Sequence, residues 1–257
     1  MFQGFTAFIN NIFEEIGDLT VLFGKTIYNT LRGKFSLGNV LTQMGRVGVD
    51  SVGVAVVTAA SVGMVFALQI ASEFVKFGAG SVVGGVLGIA VARELAPALT
   101  AVVLAARVGA AIAAEIGTMN VTEQIDAIYA MGSDPIRYLV VPRFIACTLM
   151  LPILTIFADF VGFVGGYFVS VFVVGINPIG FVDSASSLLS ISDVTGGIFK
   201  AFFFGMIISI VGCFMGLKTR GGAGGVGKST TDSVVTSLLA IFIVNYFLSV
   251  MLFKRGF

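Results

Sequence analysis

Residues 84–116 read GGVLGIAVARELAPALTAVVLAARVGAAIAAEI. A helix crosses a bilayer with about 20 mostly apolar residues, and this run is longer than that. It nevertheless carries Arg93, Glu94, Arg107 and Glu115. A charge at membrane depth is costly, so it faces a bundle interior, a cavity or a partner rather than lipid. At about 100° per residue, Arg93, Arg107 and Glu115 share one stripe, and Glu94 sits beside it. Pro97 follows one turn after Arg93 and is expected to bend the helix.

Outward from this run, residues 51–72, 144–174, 198–217 and 234–253 are further apolar stretches. The third span is interrupted by Pro152, Asp159 and three glycines, and reads as one long or kinked helix, with a re-entrant pair as the alternative. The composition agrees. Of 257 residues, 57% are hydrophobic and 11% charged, which excludes an ordinary soluble enzyme and a disordered chain. A net charge of +1 gives no field for nucleic acid. His is absent, so His-based catalysis and the commonest metal ligand are absent too. Cys147 and Cys213 lie in apolar runs and read as core residues. No catalytic or metal site is expected.

Residues 1–45 differ. Phe2, Phe5, Ile9, Ile12, Ile16, Leu19, Phe23, Ile27 and Leu31 recur every three or four positions, with Asn10, Asn11, Glu14, Glu15, Asp18, Lys25 and Arg32 between them. This amphipathic pattern suits a helix lying in the membrane interface. It lacks the basic start of a secretory signal and the Arg/Ser-rich character of a transit segment. The expectation is an all-α integral membrane protein: the interfacial segment 1–45, then a five-span domain 46–257. Lys25, Arg32, Lys34, Arg46, Arg137, Arg143, Lys218, Arg220 and Lys228 cluster on alternate loops and place the N-terminus in the cytoplasm. The basic Lys254–Arg255 pair is the one mark against this. GxxxG pairs at Gly84/Gly88, Gly162/Gly166 and Gly212/Gly216 suit close helix packing or a dimer.

Residues 222–229, GAGGVGKS, match the phosphate-loop pattern G-x-x-x-x-G-K-[ST] letter for letter. That pattern works only between a strand and a helix, and here it lies between two apolar spans. It reads as a chance match in a flexible cytoplasmic loop, with Ser229, Thr230 or Thr231 capping the last span. Residues 122–131 form a short amphipathic helix on the same side. Ile125, Ile128 and Tyr129 make one face and Glu123, Gln124 and Asp126 the other, with Thr122 as its cap. It suits docking on a partner or lying on the membrane surface.

The ordered series Arg93-Glu94-Leu-Ala-Pro97, Ala106-Arg107-Val-Gly109, Ala114-Glu115-Ile-Gly117-Thr-Met-x-x-Thr122-Glu123-Gln124-Ile-Asp126, Asp134-Pro135-x-Arg137 and Pro142-Arg143 resembles the signature of MlaE/YrbE-type permeases. So does the glycine-rich stretch with Thr230-Thr231. The resemblance implies the membrane subunit of an ABC system moving phospholipids or similar hydrophobic molecules between the inner and outer membranes. It implies a homodimer in the bacterial inner membrane. ATP–Mg would bind a separate cytoplasmic ATPase, and a periplasmic MCE-domain protein and a STAS-domain protein would be further partners. It puts Glu123, Gln124, Ile125, Asp126, Ile128 and Tyr129 on the ATPase-coupling helix, and Arg93 and Glu94 in the lipid cavity, with Arg46 facing the same space. Arg107 and Glu115 are expected as structural ion pairs. The chain itself would be no enzyme. An ion-coupled carrier, with Glu94 or Asp159 titrating, and a non-transporting scaffold are the alternatives.

Overall fold

The computed structural model describes residues 2–33 and 35–253, with side chains from Phe13 onward. Lys34, Lys254 and Arg255 lie outside the described residues. So do the side chains of Phe2, Phe5, Ile9, Asn10, Asn11 and Ile12.

Every element among the described residues is a helix. Helix α1 covers Phe2–Leu31. Five helices are long and apolar enough to cross a membrane: α2 (Leu37–Lys76), α3 (Gly80–Val121), α5 (Ile136–Val173), α7 (Ile191–Leu217) and α8 (Gly222–Phe253). Two short helices, α4 (Gln124–Ala130) and α6 (Pro178–Leu188), sit at opposite ends of the bundle. The spans outrun their apolar windows. Helix α3 has 42 residues, about 63 Å against a hydrocarbon thickness of about 30 Å. Hydropathy marks only the apolar part, whereas backbone hydrogen bonding carries the helix into polar residues. Thus α2 begins at Leu37, inside the segment expected to be interfacial. The stretch 144–173 belongs to one helix with Pro152 in its interior, not a broken pair.

Helix α7 is the core of the bundle. Of its apolar window 61% is buried, against 22% for α2 and 11% for α8. Leu104, Ile116, Leu151, Leu154, Phe204 and Ile208 fill the centre between α3, α5 and α7. Glycines set the spacing. A Cβ on Gly63 would stand 2.8 Å from Gly162 Cα, so α2 and α5 meet backbone to backbone. Gly212 and Gly216 likewise close α7 on Gly109, Ile112 and Ile116 of α3. The Gly84/Gly88 pair is divided: Gly84 abuts Phe181 of α6, where Ser184 Oγ also accepts from Gly85 N at 3.2 Å, whereas Gly88 faces Phe163 of α5 and Leu189.

Helix α6 starts where its sequence dictates. Asn177 Oδ1 accepts from Ile179 N at 2.9 Å and Pro178 occupies the first turn. Helix α1 lies across the other end. Leu22 and Thr26 are buried there, and Phe23 meets the Phe144 ring at 6.2 Å. Lys218 bridges Glu15 at 2.8 Å and Asn29 donates to Asp134 at 3.3 Å. Phe13, Ile16, Val21 and Leu31 remain exposed. Helix α1 therefore has one apolar face on the bundle and further apolar side chains on its exposed side.

Candidate functional site

Pro97 organises the first charged cluster. It has no N–H, so the Arg93 carbonyl four residues earlier loses its helical donor. The helix widens into a π turn over Val91–Leu95 just before it. Lys200 of α7, wholly buried, donates to that freed carbonyl at 2.9 Å, to Glu94 Oε1 at 2.7 Å and to Ser249 Oγ at 2.7 Å. All three of its protons are thereby used. Glu94 also accepts from Asn245 at 2.9 Å and from Ser249 at 2.8 Å, both on α8.

Arg93 turns to the first turn of α7. Its Nη2 and Nε lie 2.7 Å and 2.8 Å from Asp193 Oδ1. Asp193 Oδ2 accepts from Ser190 N and Oγ, both at 2.9 Å, in a capping box. The cap that starts α7 thus also fixes the arginine. Arg93 opens on a recess of about 760 Å³ lined by Ser192, Asp193, Thr195, Gly196, Phe199, Leu252 and Phe253. Two cations and two carboxylates make this cluster neutral.

The second cluster lies toward the α1 end. Glu115 is shared by Arg143 at 2.7 Å and Arg46 at 3.3 Å. Arg143 is buried and also donates to Leu139 O at 2.7 Å. The expected ion pair of Arg107 takes another form: among the described residues its guanidinium donates to Ser51 Oγ and to the Arg46 carbonyl. Arg46, Arg107 and Glu115 line a separate recess of about 340 Å³ with Gln43 and Asp50. Arg46 therefore does not share the Arg93 recess. The expected single stripe also divides, with Arg93 on α7 and the other two on α2 and α5. Two π turns, Val91–Leu95 and Ala105–Gly109, intervene. Each adds about one residue to the 3.6-residue period, so the wheel loses phase. Arg46, Arg93 with Glu94, Arg107 and Arg137 all ride on π turns.

Asp159 of α5 joins neither cluster's hydrogen bonds: its buried carboxylate oxygens have no partner among the described residues.

Helix α4 is tied down by its own apolar face. Ile125 and Ile128 are buried, whereas Tyr129 is 59% exposed alongside Glu123, Gln124 and Asp126. Tyr129 thus belongs to the outer face, not with the isoleucines. Thr122 is not the cap; its hydroxyl donates back to Thr118 O at 2.8 Å. The N-cap position is Glu123, with φ 59°, the one non-glycine in left-handed conformation among the described residues. That lets α4 turn sharply off α3. Beside it runs a groove of about 1130 Å³, lined in part by Asp18 and Lys25 of α1, Asn120, Asp126, Lys218 and Arg220.

The glycine-rich segment is not a loop. Helix α8 starts at Gly222, which with Gly221 takes a left-handed conformation that turns the chain (φ 70° and 88°). Thr230 and Thr231 donate back to Gly227 O, and Ser229 pairs with Thr219 at 2.8 Å, so none of them caps the helix. From Val226 onward the backbone N–H groups of this segment are committed to the helix, so the wrapped loop that cradles a phosphate between a strand and a helix is not formed.

Lys200, Asp193, Asn245 and Ser249 were not among the sequence candidates. Lys200 had a signal, since it is a cation within the apolar run 198–217. Asp193 fell just outside that run, and the two α8 residues are ordinary polar residues in a span.

The family model for Permease MlaE matches residues 40–251. A probable ABC transporter permease protein of Synechocystis sp. is 52% identical over 94% of this chain and 92% of its own length. Protein TRIGALACTOSYLDIACYLGLYCEROL 1, chloroplastic, of Arabidopsis thaliana is 43% identical over 91% of this chain and 67% of its own. A probable ABC transporter permease protein of Rickettsia typhi is 38% identical over 95% and 98%. With the family match spanning nearly the whole five-helix bundle and its charged clusters, the chain belongs to the MlaE family of ABC transporter permeases.

Proposed function

We propose that this chain is the permease subunit through which an ABC system moves a phospholipid or similar hydrophobic molecule between inner and outer membranes. The observation that carries this reading is the paired cluster Arg93–Asp193 and Glu94–Lys200, set within apolar helices with Asp193 and Lys200 buried and Arg93 opening on its recess. Such a site offers an arginine to a lipid headgroup while the neighbouring Phe199, Leu252 and Phe253 side chains suit acyl chains. The lipid-related name of the Arabidopsis relative supports the same class of cargo.

The chain performs no hydrolysis in this reading. A separate cytoplasmic ATPase, holding ATP and Mg, docks on the outer face of α4 through Glu123, Gln124, Asp126 and Tyr129, while Ile125 and Ile128 transmit its movement into the core. Helices α1 and α4 then lie at the cytoplasmic side of the inner membrane and α6 at the periplasmic side, where an MCE-domain protein is met. A STAS-domain protein is a further cytoplasmic partner. The chain acts as a homodimer, and the exposed Leu239, Phe242, Tyr246 and Phe247 of α8 supply apolar surface for a second copy or for lipid.

Affinity-tagged protein extracted in mild detergent, with co-eluting proteins and lipids identified by mass spectrometry, tests this. An ATPase, an MCE protein and phospholipid are expected. Elution of the chain alone, where a control ABC complex survives, refutes the reading in favour of an ion-coupled carrier.

A further inference from the structure

Phe253, in the last turn of α8, lies over both cations of the Arg93 cluster. Its ring centroid is 4.5 Å from Arg93 Cζ and 5.0 Å from Lys200 Nζ. The face of an aromatic ring carries partial negative charge, so the ring occupies a position an anion would favour. Gly196 makes room for it: a Cβ there would stand 2.7 Å from Phe253 Cζ. Beneath the ring Lys200 is completely buried, and beside it the recess of about 760 Å³ opens past Ser192, Thr195 and Phe199.

We infer that Phe253 is a gate: an aromatic cap over Arg93, with Lys200 beneath it, that an anionic headgroup must displace to reach the guanidinium. The inference rests on the proposed lipid-transport reading and adds to it an exchange step. Both cations are already neutralised by Glu94 and Asp193, so an incoming phosphate gains little unless it also takes the place of the ring. The ring can swing by side-chain rotation because Phe253 sits in the last turn of α8 and is only partly buried. Its closed form is held by two cation–π contacts and by the clearance at Gly196, not by a hydrogen bond.

The chain contains no Trp, so Phe253→Trp introduces a single fluorescent reporter at the gate. Titrating the purified full chain in detergent with dihexanoyl phosphatidylglycerol is expected to red-shift the emission and raise acrylamide quenching. Adding Arg93→Ala to the reporter should abolish that response. Inorganic phosphate alone producing the shift would identify the phosphate group as sufficient; a shift with the lipid only would show that the glycerolipid is needed, and both outcomes support the gate. In parallel, Phe253→Ala and Phe253→Leu should bind the same lipid about five- to tenfold more tightly, because the ligand no longer competes with the ring. Gly196→Ala, which expels the ring, should act in the same direction. Lipid binding that depends on Arg93 while the Trp emission stays fixed and Phe253→Ala and Phe253→Leu leave affinity unchanged overturns the gate and leaves the headgroup site standing. No lipid binding by the native chain or by Phe253→Ala overturns the headgroup site, and the gate with it.

Discussion

Replacing Lys200 by Met should be the most damaging conservative change in the bundle. The methionine keeps most of the volume but removes the donor to Arg93 O, Glu94 Oε1 and Ser249 Oγ. Breaking a buried ion pair by deleting one partner costs about 3–5 kcal/mol. Lys200 is fully buried but the Glu94 side chain is 43% exposed, so water relieves part of that loss and about 2 kcal/mol remains. The Arg93 carbonyl, left without a helical donor by Pro97, adds about 1 kcal/mol for an unsatisfied acceptor. A total near 3 kcal/mol lowers the apparent Tm by about 6–12 °C for a chain of this size. Cys147 and Cys213 are free and buried, so a thiol-reactive dye reports the unfolding directly. The double variant Glu94→Gln/Lys200→Met should recover most of the loss, because neither charge is then left alone. A single variant as stable as the native chain, or a double variant no better than the single, would refute the reasoning.

Other outcomes follow from local geometry. Glu123→Gly should raise the apparent Tm by about 2–4 °C, since glycine adopts the left-handed conformation without the cost of about 1 kcal/mol borne by Glu123; a lowered Tm would mean that the glutamate makes compensating contacts. Gly63→Val should destabilise by about 2–3 kcal/mol by forcing α2 off Gly162, whereas Gly53→Ala, with open space around its Cβ, should not; equal effects in the dye assay would contradict the seam. Asp126→Arg combined with Tyr129→Ala should reduce co-purification of the partner ATPase and leave Tm unchanged, because both side chains face outward; full retention would remove α4 from the docking surface. Isolated chain should show no calorimetric ATP binding. Measurable affinity that Lys228→Ala abolishes would restore the phosphate loop.

What the sequence disclosed and what it hid divide along the range of the interactions involved. Hydropathy is a sum over neighbours in the chain, so the five spans were legible, and so was the charge burden of α3. The residues that complete the site were not, because their partners are distant in sequence. Asp193 meets Arg93 from 100 residues away and Ser249 meets Glu94 from 155, and no local pattern distinguishes such a serine from its neighbours. Helical phase failed for a related reason. A wheel drawn at a constant 100° assumes every turn is alike, yet the charged residues ride on π turns, which move Arg93 off the face held by Arg107 and Glu115. Two of those turns had a visible cause, a proline two residues on: Pro97 after Val91–Leu95 and Pro142 after Ile136–Val140. The missing N–H of Pro97 both loosens the helix and exposes the carbonyl that Lys200 binds. The glycine-rich segment erred the other way. Its letters suggest a loop, since each glycine costs a helix about 1 kcal/mol, but Gly225 must be a glycine: a Cβ there would strike the Arg220 carbonyl. Gly221 and Gly222 are required by their left-handed conformations and Gly225 by the crowding, whereas Gly224 and Gly227 have open space around them. The chain accepts these poor helix formers because the long apolar helix that follows supplies the stability they lack.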